Sequence, residues 1–166
     1  MADPETPESE IIDRIWTLAD RLDPSMLITR DGDHIRARPV FARVRRDEGA
    51  IHILSDTKGD KLDQIEANPR VTLAFSDERA NRYAVIEGTA RISHDPEKLR
   101  DLWRFSDETF WKTPDNPDLR IISVHPEAAE LWDGSHLLVT GAKILAERLA
   151  GIRVQLVENA RVDRLD

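Results

Sequence analysis

The chain has 166 residues, 40% of them apolar and 34% charged, enough for one domain with a buried core and ordinary for a soluble globular protein. A formal charge of -8 argues against nucleic acid or an anionic membrane surface as the main partner, because both select net positive faces. No cysteine is present, so disulfides and thiol chemistry are excluded, and the apolar runs are far too short to span a bilayer. The opening segment MADPETPESE has neither a basic region nor an apolar stretch, so no signal peptide is expected and the cytoplasm is the expected compartment.

Residues 1–7 are expected to be disordered up to the helix start announced by Thr6 and Pro7. Ile11, Ile12, Ile15, Trp16, Ala19 and Leu22 then share one helical face, the mark of an amphipathic helix covering a core. Asp23-Pro24 ends it. A strand over 26–29 joins a second strand, starting at Ile35, through Asp31-Gly32, a strong hairpin signal.

That second strand, IRARPVFARVRR, puts Arg36 and Arg38 on one face of a half-buried element, and two arginines there need an anion or solvent. Pro39 cannot donate to a ladder, so pairing is expected to break there and to free the backbone of its neighbours. The plainer alternative is an edge strand with solvated charges. Arg43, Arg45 and Arg46 are expected on a solvated face leading into the turn Asp47-Glu48-Gly49.

IHILSDTKGDKLDQIEAN, over 51–68, is the stretch around which the chain is organised. Ile51, Ile53 and Leu54 make a strand, residues 56–60 a turn with capping groups, and Leu62 and Ile65 the buried stripe of a helix. A first helical turn exposes unpaired N–H groups and the positive end of a dipole, which suits a phosphate. Ser55 and Thr57 add hydroxyls, Gly59 allows close approach and Lys61 adds a point charge. A capped helix with no ligand fits the same residues.

After Asn68-Pro69, alternation of Val71, Leu73 and Phe75 marks a half-buried strand, and another follows over 83–92 with Gly88 as an expected bulge or close approach. Asp95-Pro96 opens a helix bearing Leu99, Leu102 and Trp103, and 106–118 is expected to be loop. A strand over 119–124 is expected to break at His125-Pro126 and resume over 128–132. A helix over 136–149 and a tail over 152–165, either an edge strand or an arm on a partner, complete the chain. Hairpin-linked strands with helices at the start, middle and end imply a mainly β fold with α (α+β), a small antiparallel barrel in a single domain over 1–166.

The five histidines have no thiolate partners, so no metal site is expected. Ser123 and Ser135 lack the glycine-flanked elbow of a nucleophilic serine, and the acidic pairs Asp31/Asp33 and Asp107/Glu108 are expected to be solvated turn charges. Neither dinucleotide-fold nor P-loop glycine patterns occur.

The RARP segment from Arg36 to Pro39, ILSDTKGDK ending at Lys61, ANPRV, NRYAVIEGTA, PDNPDLR and ELWDG together resemble the bacterial general stress proteins of the pyridoxamine 5'-phosphate oxidase-like superfamily, over roughly 10–135. The resemblance implies a split β-barrel homodimer with FMN at the subunit interface. Arg36 would meet the flavin phosphate or ribityl chain. The backbone of Ala37, Arg38, Pro39 and Val40 would run beside the isoalloxazine ring, with Arg38 near its pyrimidine end. Leu54 and Ser55 would line the flavin, Lys61 would pair with the phosphate, and Tyr83 and Trp132 would approach from the other subunit. Gly59 stands where the family usually has serine, so one phosphate donor is lost, and IHIL replaces the usual aromatic pair. The implied activity is flavin-dependent oxidoreduction with an unidentified electron donor and substrate, and no catalytic acid or base is identified. A non-enzymatic flavin carrier or sensor, or the same fold with FAD or a deazaflavin, is the alternative.

Overall fold

The computed structural model describes residues 8–134, 158–163 and 165. The helix expected over 136–149 and the N-terminal cap at Thr6 lie outside the described residues. Helix α1 (Glu8–Arg21) leads into strands β1 (Ser25–Asp31), β2 (His34–Val40), β3 (Ala42–Arg45) and β4 (Ala50–Asp56). Helix α2 (Lys61–Ala67), β5 (Arg70–Asp77), β6 (Arg82–Ser93), α3 (Pro96–Leu102), β7 (Leu119–Asp133) and β8 (Glu158–Val162) follow.

All strand pairs are antiparallel, and the sheet order is β2-β1-β5-β6-β7-β4-β3, with β8 added to β7. The first and last strands of that order, β2 and β3, are separated in the chain only by Phe41. The two sheet edges therefore meet, and the sheet must curl on itself. No ladder joins β2 to β3 among the described residues, so the barrel is closed by the chain and not by pairing. It is an antiparallel, split barrel of the α+β kind expected.

The local reasons are those of the sequence. The Asp31-Gly32 turn sets Asp31 opposite His34, and Gly32 takes the left-handed φ of 59° that favours glycine. Asp95 caps α3 by accepting from the amides of Glu97 (3.0 Å) and Lys98 (3.1 Å). At Gly88 the β6/β7 register shifts, and a Cβ there would stand 2.3 Å from the His125 carbonyl oxygen, so only glycine fits. This bulge also corrects the break expected at His125-Pro126. Pro126 faces Gly88 at the irregularity, where a missing N–H is tolerated, and β7 runs through as one strand of 15 residues. Of the tail, residues 158–162 form an edge strand on β7, one of the two expectations for it, and 152–157 lie outside the described residues.

Two cores result. The main one fills the barrel with Leu27, Ile53, Leu73, Phe75 and Ile86 beneath Ile15 and Trp16 of α1. The second lies outside the barrel wall, where Leu99 and Leu102 of α3 pack on Leu54, Leu119 and Ile121. Adjacent positions on β4 therefore serve opposite sides of the wall.

Candidate functional site

At the end of the barrel beside α2, the alternation of β2 brings two cations inward. Arg36 is in register with Thr29 and Arg38 with Leu27, both buried positions of β1, so both arginines stand on the core-side face while Ile35, Ala37 and Pro39 face outward. The Arg38 Nη2 donates to Gln64 Oε1 at 2.8 Å, and Thr29 Oγ1 donates to the same oxygen at 2.7 Å. Lys61, the first residue of α2, turns back to the barrel, and its Nζ donates to Ser55 Oγ at 2.8 Å. Ser55 is fully buried.

The electrostatics of this corner are unbalanced. Burial, and to a lesser degree Arg38, push the Lys61 ammonium below its ordinary pKa against the opposing pull of Asp56. Burial and then Arg36 likewise lower Arg38, against Asp31 and Asp60. Arg36 has its own partner in Asp31, at 3.1 Å, and is largely exposed. Arg38 Nη1 is buried and has no hydrogen-bond partner among the described residues. Neutral acceptors, Ser55 and Gln64, thus hold two half-buried cations, and one donor is left spare.

The other expected residues are placed as follows. Pairing does not break at Pro39: the β1/β2 ladder continues through Met26–Pro39 to Ser25–Val40, because β2 is the sheet edge and one side of it needs no ladder. The free backbone edge expected near Pro39 exists for that reason. Val40 is buried, and Ala37 and Pro39 are exposed. Leu54 sends its side chain into the second core, opposite to Ser55, so only its backbone is available on the Ser55 side. Gly59 has φ of 81°, a conformation serine tolerates poorly, which gives the glycine a local reason. Helix α2 has seven residues and its N-cap Asp60 makes no side-chain cap, so the dipole expected to hold a phosphate is small and Lys61 is the main source of positive charge there. Tyr83 and Trp132 are register partners on β6 and β7. Trp132 lies about 40 Å of strand path, at roughly 3.3 Å per residue, from Arg120, the β7 partner of Ser55.

Three features were missed from the sequence. Gln64 joins Arg38 to Thr29, and its i, i+3 spacing from Lys61 was the available signal. Arg43 and Asp107, expected to be solvated, are each 2% exposed and form a buried ion pair. Arg43 Nε also donates to the Leu102 carbonyl at 3.1 Å and Nη1 to that of Phe41 at 2.6 Å, so tertiary partners remove both charges from solvent. His52 is buried between Ser123 Oγ and Glu48 Oε2, each at 2.9 Å, and Glu48 lies four residues before it. With Lys98 also on Glu48, this chain ties β4, β7 and α3 together.

Residues 10–155 match the family described as pyridoxamine 5'-phosphate oxidase like. No curated protein matches the chain significantly. Among solved structures, a protein named for general stress protein 26 in Jannaschia sp. CCS1 gives a TM-score of 0.75 at 21% identity, over 93% of this chain and 99% of that chain. A Clostridium acetobutylicum protein related to general stress protein 26 gives 0.71 at 13% identity, over 95% and 96%. A Nostoc punctiforme PCC 73102 protein, described as pyridoxamine 5'-phosphate oxidase-related and FMN binding, gives 0.59 at 15% identity, over 77% and 84%. At these identities the structures share the fold, and the family match spans most of the chain. The chain belongs to the pyridoxamine 5'-phosphate oxidase-like family, and its barrel is the split barrel of that family.

Proposed function

We propose that this protein is a homodimeric, FMN-binding oxidoreductase of the cytoplasm, a single domain over 1–166 with the general stress role named for its structural relatives. The observation that carries this reading is the spare, buried Arg38 Nη1 beside a desolvated Lys61. Desolvated cations whose direct hydrogen-bond acceptors are neutral fit an anionic cofactor, because burial costs the cations their hydration and a bound anion offsets that loss.

In this reading Lys61 and Ser55 hold the phosphate, and Arg36 meets the phosphate or ribityl chain. Arg38 directs its spare donor at the pyrimidine end of the ring. The backbone of Ala37, Pro39 and Val40, along the free edge of β2, lies beside the ring, Leu54 contributes through its backbone, and Gly59 lets the turn approach closely. Bound FMN accepts or donates electrons. The side chains anchor and orient it, and the buried barrel end excludes water from one side.

A second copy of the chain supports the account because Tyr83 and Trp132 sit at the far end of β7 from Ser55. The outward face of the sheet beside them carries Met26, Ile28, Ala37, Pro39, Ala74 and Val85, with Ser76 and the Glu130–Arg161 ion pair among them, and Met26 is 38% exposed. Pairing two such faces would bring the partner subunit's Tyr83 and Trp132 to the flavin.

The test is FMN titration. Lys61→Ala is expected to weaken binding about tenfold or more with the fold intact, and unchanged affinity removes Lys61 from the site. Trp132→Ala is expected to alter flavin fluorescence. Mixing the two variant proteins should create sites with tight binding and native fluorescence, found in neither alone; their absence rejects a shared site. FAD and a deazaflavin titrated in parallel decide the cofactor.

A further inference from the structure

Helix α2 buries one neutral polar side chain. Leu62, Gln64 and Ile65 are its buried residues, while Asp63 and Glu66, on either side of Gln64 in the chain, are exposed. A glutamine at 7% exposure is costly unless its amide is bonded, and Gln64 answers with one oxygen that serves two donors. Arg38 Nη2 donates to Oε1 at 2.8 Å, and Thr29 Oγ1 donates to it at 2.7 Å. A guanidinium can only donate, so chemistry requires that the amide oxygen, and not its nitrogen, face Arg38. Thr29 is 2% exposed and fixed in β1, so the oxygen that holds Arg38 is itself held from the sheet.

The neutrality of this acceptor has a consequence. Glutamate has the shape of glutamine and carries a second oxygen in place of the amide nitrogen, so it would pair with the guanidinium as an ion and could engage both terminal nitrogens. Arg43 on β3 has such a partner in Asp107. At Arg38 the direct acceptor is an amide oxygen, Asp31 and Asp60 act from further away, and Nη1 is left without a partner among the described residues. Position 64 therefore decides which nitrogen of Arg38 is anchored and whether the other stays available.

We propose that Gln64 is the positioning residue of the cofactor site: its neutral oxygen, braced by Thr29, fixes the Arg38 guanidinium through Nη2 and keeps Nη1 for the bound group. This role rests on the flavin reading and is exerted through Arg38.

The experiment combines urea unfolding with FMN titration of the full chain, for Gln64→Glu, Gln64→Met, Arg38→Met and the double variant Gln64→Met/Arg38→Met. Gln64→Glu is expected to unfold at the parent's urea midpoint or above it, yet to bind FMN about tenfold more weakly, because the new carboxylate takes the donors that the cofactor needs. A merely structural glutamine would move stability and affinity together. Gln64→Met keeps the volume without the acceptor and should weaken FMN about three- to tenfold in the parent, with no further loss once Arg38 is methionine. Parent-like FMN affinity in Gln64→Glu, a parallel fall of its stability and affinity, or an equal effect of Gln64→Met in both backgrounds overturns the proposal. Those results leave the cofactor reading standing, since the parent still binds. A parent protein that takes up no FMN sinks that reading and the role of Gln64 with it.

Discussion

Arg38 and Arg43 lie on consecutive strands, yet their surroundings treat them in opposite ways. On the α3 side of the barrel wall, Arg43 spends donors from all three guanidinium nitrogens on Leu102, Phe41 and Asp107, and its charge is matched by a buried carboxylate. At the α2 end, Arg38 has a neutral amide oxygen, a neighbouring cation set against the more distant Asp31 and Asp60, and one buried nitrogen with no partner among the described residues. A buried charge with every donor used is part of the scaffold; one left short is poised for a ligand.

The largest expected effect breaks the closed side. Asp107→Ala strands the buried Arg43 and should cost about 3–5 kcal/mol in urea unfolding; a loss below about 1 kcal/mol would mean the pair is not buried in solution. At the open end the balance should reverse. Arg38→Met is expected to leave unfolding stability within about 1 kcal/mol of the parent while FMN affinity drops about tenfold, because the desolvated guanidinium costs the empty protein as much as it holds. A stability loss as large as that of Asp107→Ala would erase the contrast.

Proton linkage sharpens it further. Since burial lowers the Lys61 pKa from 10.5, its charge is lost at a lower pH than that of an exposed lysine. FMN affinity should therefore fall as pH rises through that lowered value, and Lys61→Arg, charged throughout, should remove the fall. Parallel profiles for the two proteins would contradict the assignment. The smallest effect belongs to His52, lowered from 6.5 mainly by burial, against Glu48. The unfolded chain takes up protons first, so this stability is present above pH 6.5 and declines as pH falls through the folded value. Urea midpoints of His52→Gln should show a flatter acid limb than those of the parent.

What the sequence revealed was whatever depends on near neighbours. Alternation placed Val71, Leu73 and Phe75 inward, Asp95-Pro96 capped a helix, Gly88 marked a bulge, and the spacing of Arg36 and Arg38 put both on one face. Long-range partners were not legible. The burial of Arg43 depends on Asp107, 64 positions away, and nothing near either residue signals the other. Pro126 is tolerated in β7 because Gly88 faces it from another strand, and β2 and β3 part at Phe41 because the sheet must close. Within the candidate site, Ser55 and Lys61 were legible as one local motif, whereas Gln64 joined it only through contacts with β1 and β2.

The most direct measurement is the visible absorption spectrum of the purified protein before and after adding FMN, with molecular mass determined on the same sample. The account predicts flavin bands that stay with the protein and a dimer mass. A colourless monomer that cannot be loaded with FMN, FAD or a deazaflavin would contradict it, and the spare charge at Arg38 would then need another ligand.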